Sequence, residues 1–512
     1  MKHLIRNFTN CCLLALLVTL AACYDDKGNY NYRELGEISI ENIPETSSIL
    51  RGIGSLTIAP RIVSSTEGEI TADNPNYEFG CRIARTSGSF ADGEQWHDIN
   101  PEKTQAFTIT LDENIGEYVA VYSVTDLRTG VSTNHSFNIT VITSTYEGWM
   151  VLCNEGADER VRLDMVSVLE EGNIMPIHDI LGNGIPEQHG AKQLTFAASY
   201  TTDFIYMLTG TGTYSLDPTE LTASETGNVL KSEFLADMGD ELPERMAICG
   251  NYHYLVSNKG NIYRKQASSA GAAYEFPCNT TTDGADPTYH VSPYVAANGY
   301  LTLAYDCDNQ RFVSQYIYAS STVFGGINEP TNPRFSWSTG RELLYMNTAG
   351  SIAYAVMQAP DGQRSIYAAS LSGWTANNIT QQGYWDNITA EGFREAEYFT
   401  FHPVYPYVFY AAGNTLHAYQ LESGGNVSAS LQLPGEEITM VKISPFRVYT
   451  PTGDRADWQN YILVGSYRND ATDDNGGILR MYDFDRTTNT FKEMAKYDGF
   501  AHIVDVTYRE RG

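Results

Sequence analysis

From Trp149 onward the sequence repeats itself at a period of about fifty residues. The aromatic or apolar centres Trp149, Phe204, Tyr252, Tyr300, Ile352, Tyr407 and Tyr461 lie 55, 48, 48, 52, 55 and 54 residues apart. Around several of them the same unit recurs. Phe204–Leu208 leads through Gly210 and Gly212 to Tyr214–Leu216. Tyr252–Val256 leads through Gly260 to Asn261–Tyr263, and Tyr407–Tyr410 leads through Gly413 to Leu416–Tyr419. Each unit is a strand, a glycine-containing hairpin and a second strand. A preceding strand also recurs, at Gln193–Ala198, Arg245–Cys249, Glu397–Phe401 and Thr439–Ile443. One such unit cannot bury both of its faces, so units of this kind stack side by side. Antiparallel repeats of this length imply the blades of a β-propeller, and seven anchors imply seven blades over residues 146–512. The first unit lacks its own preceding strand, and the chain ends on an unpartnered one, His502–Tyr508. Pairing the two would close the ring and remove an exposed edge. The competing arrangement is two smaller β-domains. No WD, kelch or Asp-box signature assigns the propeller to a class.

Ahead of the repeat, residues 36–145 contain about seven short alternating segments. They include Ile38–Ile43, Leu56–Val63, Tyr77–Ile83, Phe107–Leu111, Gly116–Asp126 and Ser136–Val141. That number of strands in roughly 110 residues suits an immunoglobulin-like β-sandwich. The expected fold class is therefore all-β, a sandwich followed by a propeller. The composition agrees, with 35 Tyr, 20 Phe and 43 Gly favouring strands and turns.

The N-terminus is built differently. Lys2 and Arg6 precede an apolar run from Cys11 to Ala22, the pattern of a secretory signal over residues 1–22. Leu20-Ala21-Ala22-Cys23 matches the bacterial lipobox, in which the Cys thiol is lipidated and becomes the new N-terminus. Residues 23–35 then read as a polar tether. Its acidic pair, Asp25 and Asp26, resembles the surface-export signal of Bacteroidota lipoproteins. The bland account of the pair is a solvated tether. No later apolar run reaches membrane-span length, so the lipid is the expected membrane attachment. The formal net charge of −29 argues against nucleic acid, since phosphate binding needs clustered Lys and Arg.

Gly116-Glu117-Tyr118, the alternating Val119, Val121 and Val124, then Asp126, Gly130 and Ile139-Thr140-Val141 resemble the end of a PKD domain. The usual W-x-F-G-D segment is absent, its nearest counterpart being Tyr77-Glu78-Phe79-Gly80. With the lipobox and tether, the first 145 residues resemble the PKD-like family lipoproteins of Bacteroidota. The resemblance implies a lipid-anchored outer-membrane protein exposed at the cell surface. It also implies a place beside a SusC-like TonB-dependent transporter and a SusD-like lipoprotein, as an accessory that binds a glycan or peptide nutrient. A degradative enzyme with paired carboxylates in the propeller channel, and a purely structural docking subunit, are the alternatives.

Candidate sites are few. No HExxH, GxSxG, P-loop or GxGxxG motif stands in a supporting context, so no catalytic residue is assigned. Trp374, Tyr384 and Trp385 lie among Asn and Gln in Gly373–Thr389, with Trp337 and Trp458 in comparable polar surroundings. Such a mixture suits sugar or peptide recognition, because rings stack on apolar faces while amides read polar groups. Packing between blades consumes aromatics too, and is the competing account. Asp470, Asp473, Asp474 and Asn475 offer hard oxygen donors on a Gly-rich loop, a calcium candidate without EF-hand spacing. A solvated hairpin loop is the simpler account. No other cofactor is implied. Cys81, Cys153, Cys249, Cys278 and Cys307 remain after the anchor, an odd number without zinc spacing, which leaves room for one disulfide, with buried free thiols the simpler account for most.

Overall fold

The computed structural model describes residues 36–510, except 52–53, 91, 171–172, 183, 198–202, 219–220, 224–226, 236, 268–271, 374–377, 423–427 and 447–454. The chain is all-β. Among the described residues, helix amounts to the single turn Val229–Ser232, the 3-10 turn Trp458–Asn460 and isolated 3-10 positions at Gly227, Asn378 and Arg455. Two compact units divide at Ile142/Thr143.

The first unit is a sandwich. One sheet orders Thr46–Leu50, Val131–Ile142, Gly116–Asp126, Tyr77–Arg85 and His97–Asp98. A second joins Ile38–Glu41, Arg61–Ser64 and Gly68–Ile70, and Leu56–Ile58 pairs with Phe107–Ile109. Strand alternation sends Tyr77, Phe79, Cys81 and Ile83 inward, with Tyr118, Ala120, Tyr122 and Val124 beside them. They share one core with Ile58, Ile62 and Ile70 from the other sheets. The Gly116-Glu117-Tyr118 segment has a local cause. Gly116 takes a φ of 145°, which side chains oppose. This turns the chain so that the buried Tyr118 hydroxyl donates to the Asn114 carbonyl at 2.5 Å. The single strand expected over Leu56–Val63 is corrected to two strands in different sheets. Pro60 lies at the break and has no N–H to continue a ladder.

In the second unit, seven antiparallel sheets of three or four strands appear among the described residues. Their second strands are Gly148–Glu155, Phe204–Thr209, Tyr252–Ser257, Leu301–Asp306, Ile352–Gln358, Tyr407–Ala412 and Ile462–Arg468. In Tyr252–Ser257 and Leu301–Asp306 every residue is buried, as expected of a strand covered on both faces. Alternate residues of each strand serve opposite neighbours. Met150 and Leu152 pack with Leu194 and Ile205 of the second sheet, whereas Trp149, Val151 and Cys153 pack with Leu463 and Leu479 of the seventh.

Each consecutive pair of sheets shares such a core. Tyr206 meets Leu255, Tyr254 meets Ala304, Leu303 meets Ala355, Val356 meets Val408, and Phe409 meets Val464, each pair within one cluster. The cores form a closed cycle, and the architecture is propeller-like. Within it the terminal strand His502–Arg509 runs antiparallel to Gly148–Glu155, so the first sheet is built from both ends of this unit.

Neighbouring sheets are also stitched along their first strands by side chains. Asp505 Oδ2 accepts the Leu194 N–H at 3.0 Å, and Gln193 both accepts from Met246 N at 2.7 Å and donates to Met246 O at 3.1 Å. Thr348 Oγ1 accepts from Ala297 N, and Thr400 Oγ1 from Ile443 N. These contacts supply partners for half-buried backbone groups that no sheet ladder reaches. Cys81, Cys153, Cys249 and Cys278 are buried free thiols, and Cys307 is an exposed one.

Candidate functional site

The described members of the aromatic set singled out from the sequence do not assemble into one surface. Trp337 is 3% exposed, with its ring edge-on to Phe335 at 5.0 Å and to Phe312 at 5.8 Å. Tyr384 packs on Tyr367 at 4.9 Å in the same core, between the fourth and fifth sheets. Trp385 packs into the next core, and its Nε1–H donates to the Leu421 carbonyl at 2.5 Å. Trp458 is 9% exposed and lies 4.7 Å from Trp149 in the core that joins the seventh sheet to the first. Trp374 falls outside the described residues, as do Cys23, Asp25 and Asp26. The platform reading is corrected for its described members: they are divided among three inter-sheet cores. The physical reason is geometric, because wedge-shaped space between twisted sheets needs large rings to fill it.

Asp470, Asp473 and Asp474 stay exposed on the hairpin between Ile462–Arg468 and Gly477–Asp485. Asp473 Oδ1 accepts from Asn475 N at 3.2 Å. Asn475 Oδ1 accepts from Arg162 Nη1 at 2.8 Å, so this oxygen faces a fixed cation rather than an open cation site. The geometry supports the solvated hairpin over calcium.

A different site emerges where the first strands of the sheets converge. There a cavity of about 240 Å³ is lined by Gln193, Arg245, Tyr294, Tyr345, Tyr398, Lys442 and Asp505, among others. Each of these residues comes from a different sheet or from the segment leading into it. A second cavity of about 610 Å³, lined by Lys192, Thr439, Tyr467 and His502, shares Arg245, Tyr398 and Val504 with the first. The two therefore adjoin at those three residues.

The walls of the smaller cavity are aromatic and charged. The Arg245 guanidinium sits 4.6 Å over the Tyr294 ring, which lies 5.2 Å from Tyr345. Burial pushes the Tyr345 phenol up to about 12, and the nearby Arg245 charge opposes the rise. Burial also raises the Tyr398 phenol, with Glu397 adding to the effect. Both therefore remain neutral hydrogen-bonding groups at physiological pH. Lys442 Nζ donates to Asp505 Oδ1 at 2.7 Å and to the Val506 carbonyl at 2.8 Å. With the Leu194 N–H on its other oxygen, Asp505 is held as a structural anion.

Sequence reasoning passed over this site. A usable signal existed, because the seven lining residues themselves recur at intervals of 44 to 63 residues. The same period that marks the sheets marks the cavity, with one position in each first strand or the segment leading into it.

Residues 23–212 match the model of the PKD-like family. The N-terminal part of this chain is PKD-like. That PKD-like match runs beyond the sandwich into the first two sheets of the second unit. No curated protein matches the chain. A quinonprotein alcohol dehydrogenase-like protein from Bacteroides thetaiotaomicron is similar over 93% of this chain and 100% of its own, at 11% identity and a TM-score of 0.44. A protein from Lactobacillus plantarum covers 71% of this chain and 100% of its own, at 12% identity and a TM-score of 0.43. AztD from Citrobacter koseri covers 84% and 98%, at 12% identity and a TM-score of 0.33. Likeness at these levels carries nothing about activity.

Proposed function

We propose that the chain is a lipid-anchored outer-membrane lipoprotein, displayed at the surface, whose head captures a glycan or peptide nutrient. In this reading the seven sheets are the blades of a seven-bladed propeller, and the axial cavity is the capture site. Cys23 carries the lipid, and Asp25 and Asp26 direct export. The partners are a SusC-like transporter and a SusD-like lipoprotein, with which the protein acts as an accessory in TonB-dependent uptake. The PKD-like match and the Leu20–Cys23 motif support the lipoprotein part.

One observation carries the binding part: a cavity walled by tyrosine rings and a guanidinium at the convergence of the sheets. Rings supply flat apolar faces and phenols supply hydrogen bonds, the combination that a sugar ring or a peptide requires. The state of Asp505 favours capture over hydrolysis. Glycoside hydrolysis uses two available carboxylates; of Glu397 and Asp505, which both line the cavity, Asp505 is already bound by Lys442 and a backbone N–H.

The test is to incubate the purified protein with candidate polysaccharides and peptide mixtures, measuring retention and product together. Retention of one ligand class without product is the expected result. Release of shortened saccharide or peptide would replace capture with an enzyme, and no retention of any class would leave a structural docking subunit.

A further inference from the structure

The axial cavity contains polar groups that the protein does not satisfy. Among the described residues, no hydrogen bond or ion pair engages the Arg245 guanidinium or the hydroxyls of Tyr294 and Tyr398. All three line the same space, with Tyr345 between them. These groups are half-buried and open to the cavity, so their hydrogen-bonding capacity is available to whatever enters it. The other charges are accounted for. Lys442 and Asp505 neutralise each other, and Glu397 is exposed, where water screens it. Arg245 thus remains as a half-buried cation with no counter-ion, in a chain whose net charge is −29.

We infer that the cavity takes a terminal sugar unit bearing a carboxylate, with the carboxylate on Arg245 and the sugar ring against Tyr294, Tyr345 and Tyr398. The inference rests on the capture reading above and specifies its ligand. The planar guanidinium fork matches a carboxylate with two parallel hydrogen bonds, and its stacking on Tyr294 fixes the fork in place. Phenols then meet the sugar hydroxyls, and ring faces meet its apolar side. Size argues for one terminal unit. The cavity of about 240 Å³ lies below the roughly 300–1,000 Å³ of pockets that enclose whole ligands. The larger, adjoining cavity would receive the remainder of the chain.

The test compares disaccharides ended by galacturonate with those ended by galactose, on the whole protein, by calorimetry at two salt concentrations. The acidic sugar should bind more tightly, and more so at low salt. Arg245→Gln should weaken it about tenfold or more and leave the neutral sugar unchanged, since a hydrogen bond to a charged group is of that order. Arg245→Lys retains the charge but loses the planar stacking and the fork, and should fall between. Melting curves on both variants separate lost binding from lost fold. Equal binding of both sugars, or an unchanged affinity in Arg245→Gln, overturns the inference while glycan capture stands. Selective binding of a peptide through its terminal carboxylate overturns the choice of sugar. Binding of neither sugar nor peptide overturns the inference together with the capture reading.

Discussion

Deleting Ala501–Gly512 should leave a soluble sandwich joined to a head that aggregates or is rapidly cut by protease. The strand His502–Arg509 contributes Ile503, Val506 and Tyr508 to the core between the first and seventh sheets. All three are essentially fully buried, and burial of such side chains contributes roughly 1.5–3 kcal/mol each. Their sum is comparable with the whole stability of an ordinary domain, about 5–15 kcal/mol.

Other losses add to this. The Trp149 ring would lose Tyr508 at 5.0 Å, and Glu147 would lose the Tyr508 hydroxyl at 2.6 Å. Lys442 would be left without Asp505, and Leu194 N without its acceptor. The strand Gly148–Glu155 would also present an unpaired edge, a template for association. Sedimentation and calorimetry check the outcome. A truncated head that stays monomeric with an unshifted melting transition would contradict closure through the terminal strand.

Acid should begin to destabilise the head near pH 6.5, above the range in which carboxylates titrate. Burial lowers His253 to about 3 and His402 to about 4, with the charges of Lys265 and Arg486 adding to the respective shifts. His402 has a visible reason to stay neutral: its Nδ1 accepts from the N–H groups of Val404 and Tyr405, both at 3.1 Å. His253 is 2% exposed and stands edge-on to Phe204 and Tyr206. The unfolded chain binds protons to both near pH 6.5, whereas the folded chain does not. Their contribution is therefore complete above about pH 6.5 and is lost as pH falls through the folded values. By pH 4 the loss is on the order of 2–3 kcal/mol from each, at about 1.4 kcal/mol per unit. His253→Phe combined with His402→Asn should flatten this limb, the Asn retaining an acceptor that does not titrate. Denaturant midpoints measured from pH 7.5 to 4 check it, and an equally steep limb in the double variant would reject these histidines as its source.

The architecture was legible because it is repetitive. Trp149, Phe204, Tyr252 and their counterparts mark second strands, whose near-continuous burial leaves an apolar and aromatic imprint in each unit. The strand break at Pro60 was less visible, since Leu56–Val63 alternates well enough to pass as one element.

The site was not legible from local texture. Trp337, Tyr384, Trp385 and Trp458 stand among polar neighbours in sequence because their neighbours point to solvent, while their own rings enter inter-sheet cores. The cavity residues give the opposite impression. Arg245 looks like a surface cation within Pro243–Cys249, and Tyr345 like an ordinary strand aromatic within Glu342–Ala349. Only the convergence of first strands from seven sheets brings them to one space. A window of a few residues cannot register that, although a comparison in steps of the repeat can.

The central claim, that the ligand is taken where the first strands converge, is tested most directly by hydrogen–deuterium exchange of the whole protein with and without the saccharide or peptide retained in the binding assay. The account predicts protection in Ala191–Ala197, Pro243–Cys249, Glu342–Ala349 and Tyr398–Phe401, the strands that wall the axial cavity. Protection confined to Thr380–Trp385 or to other outer strands, with those four segments unchanged, would contradict it.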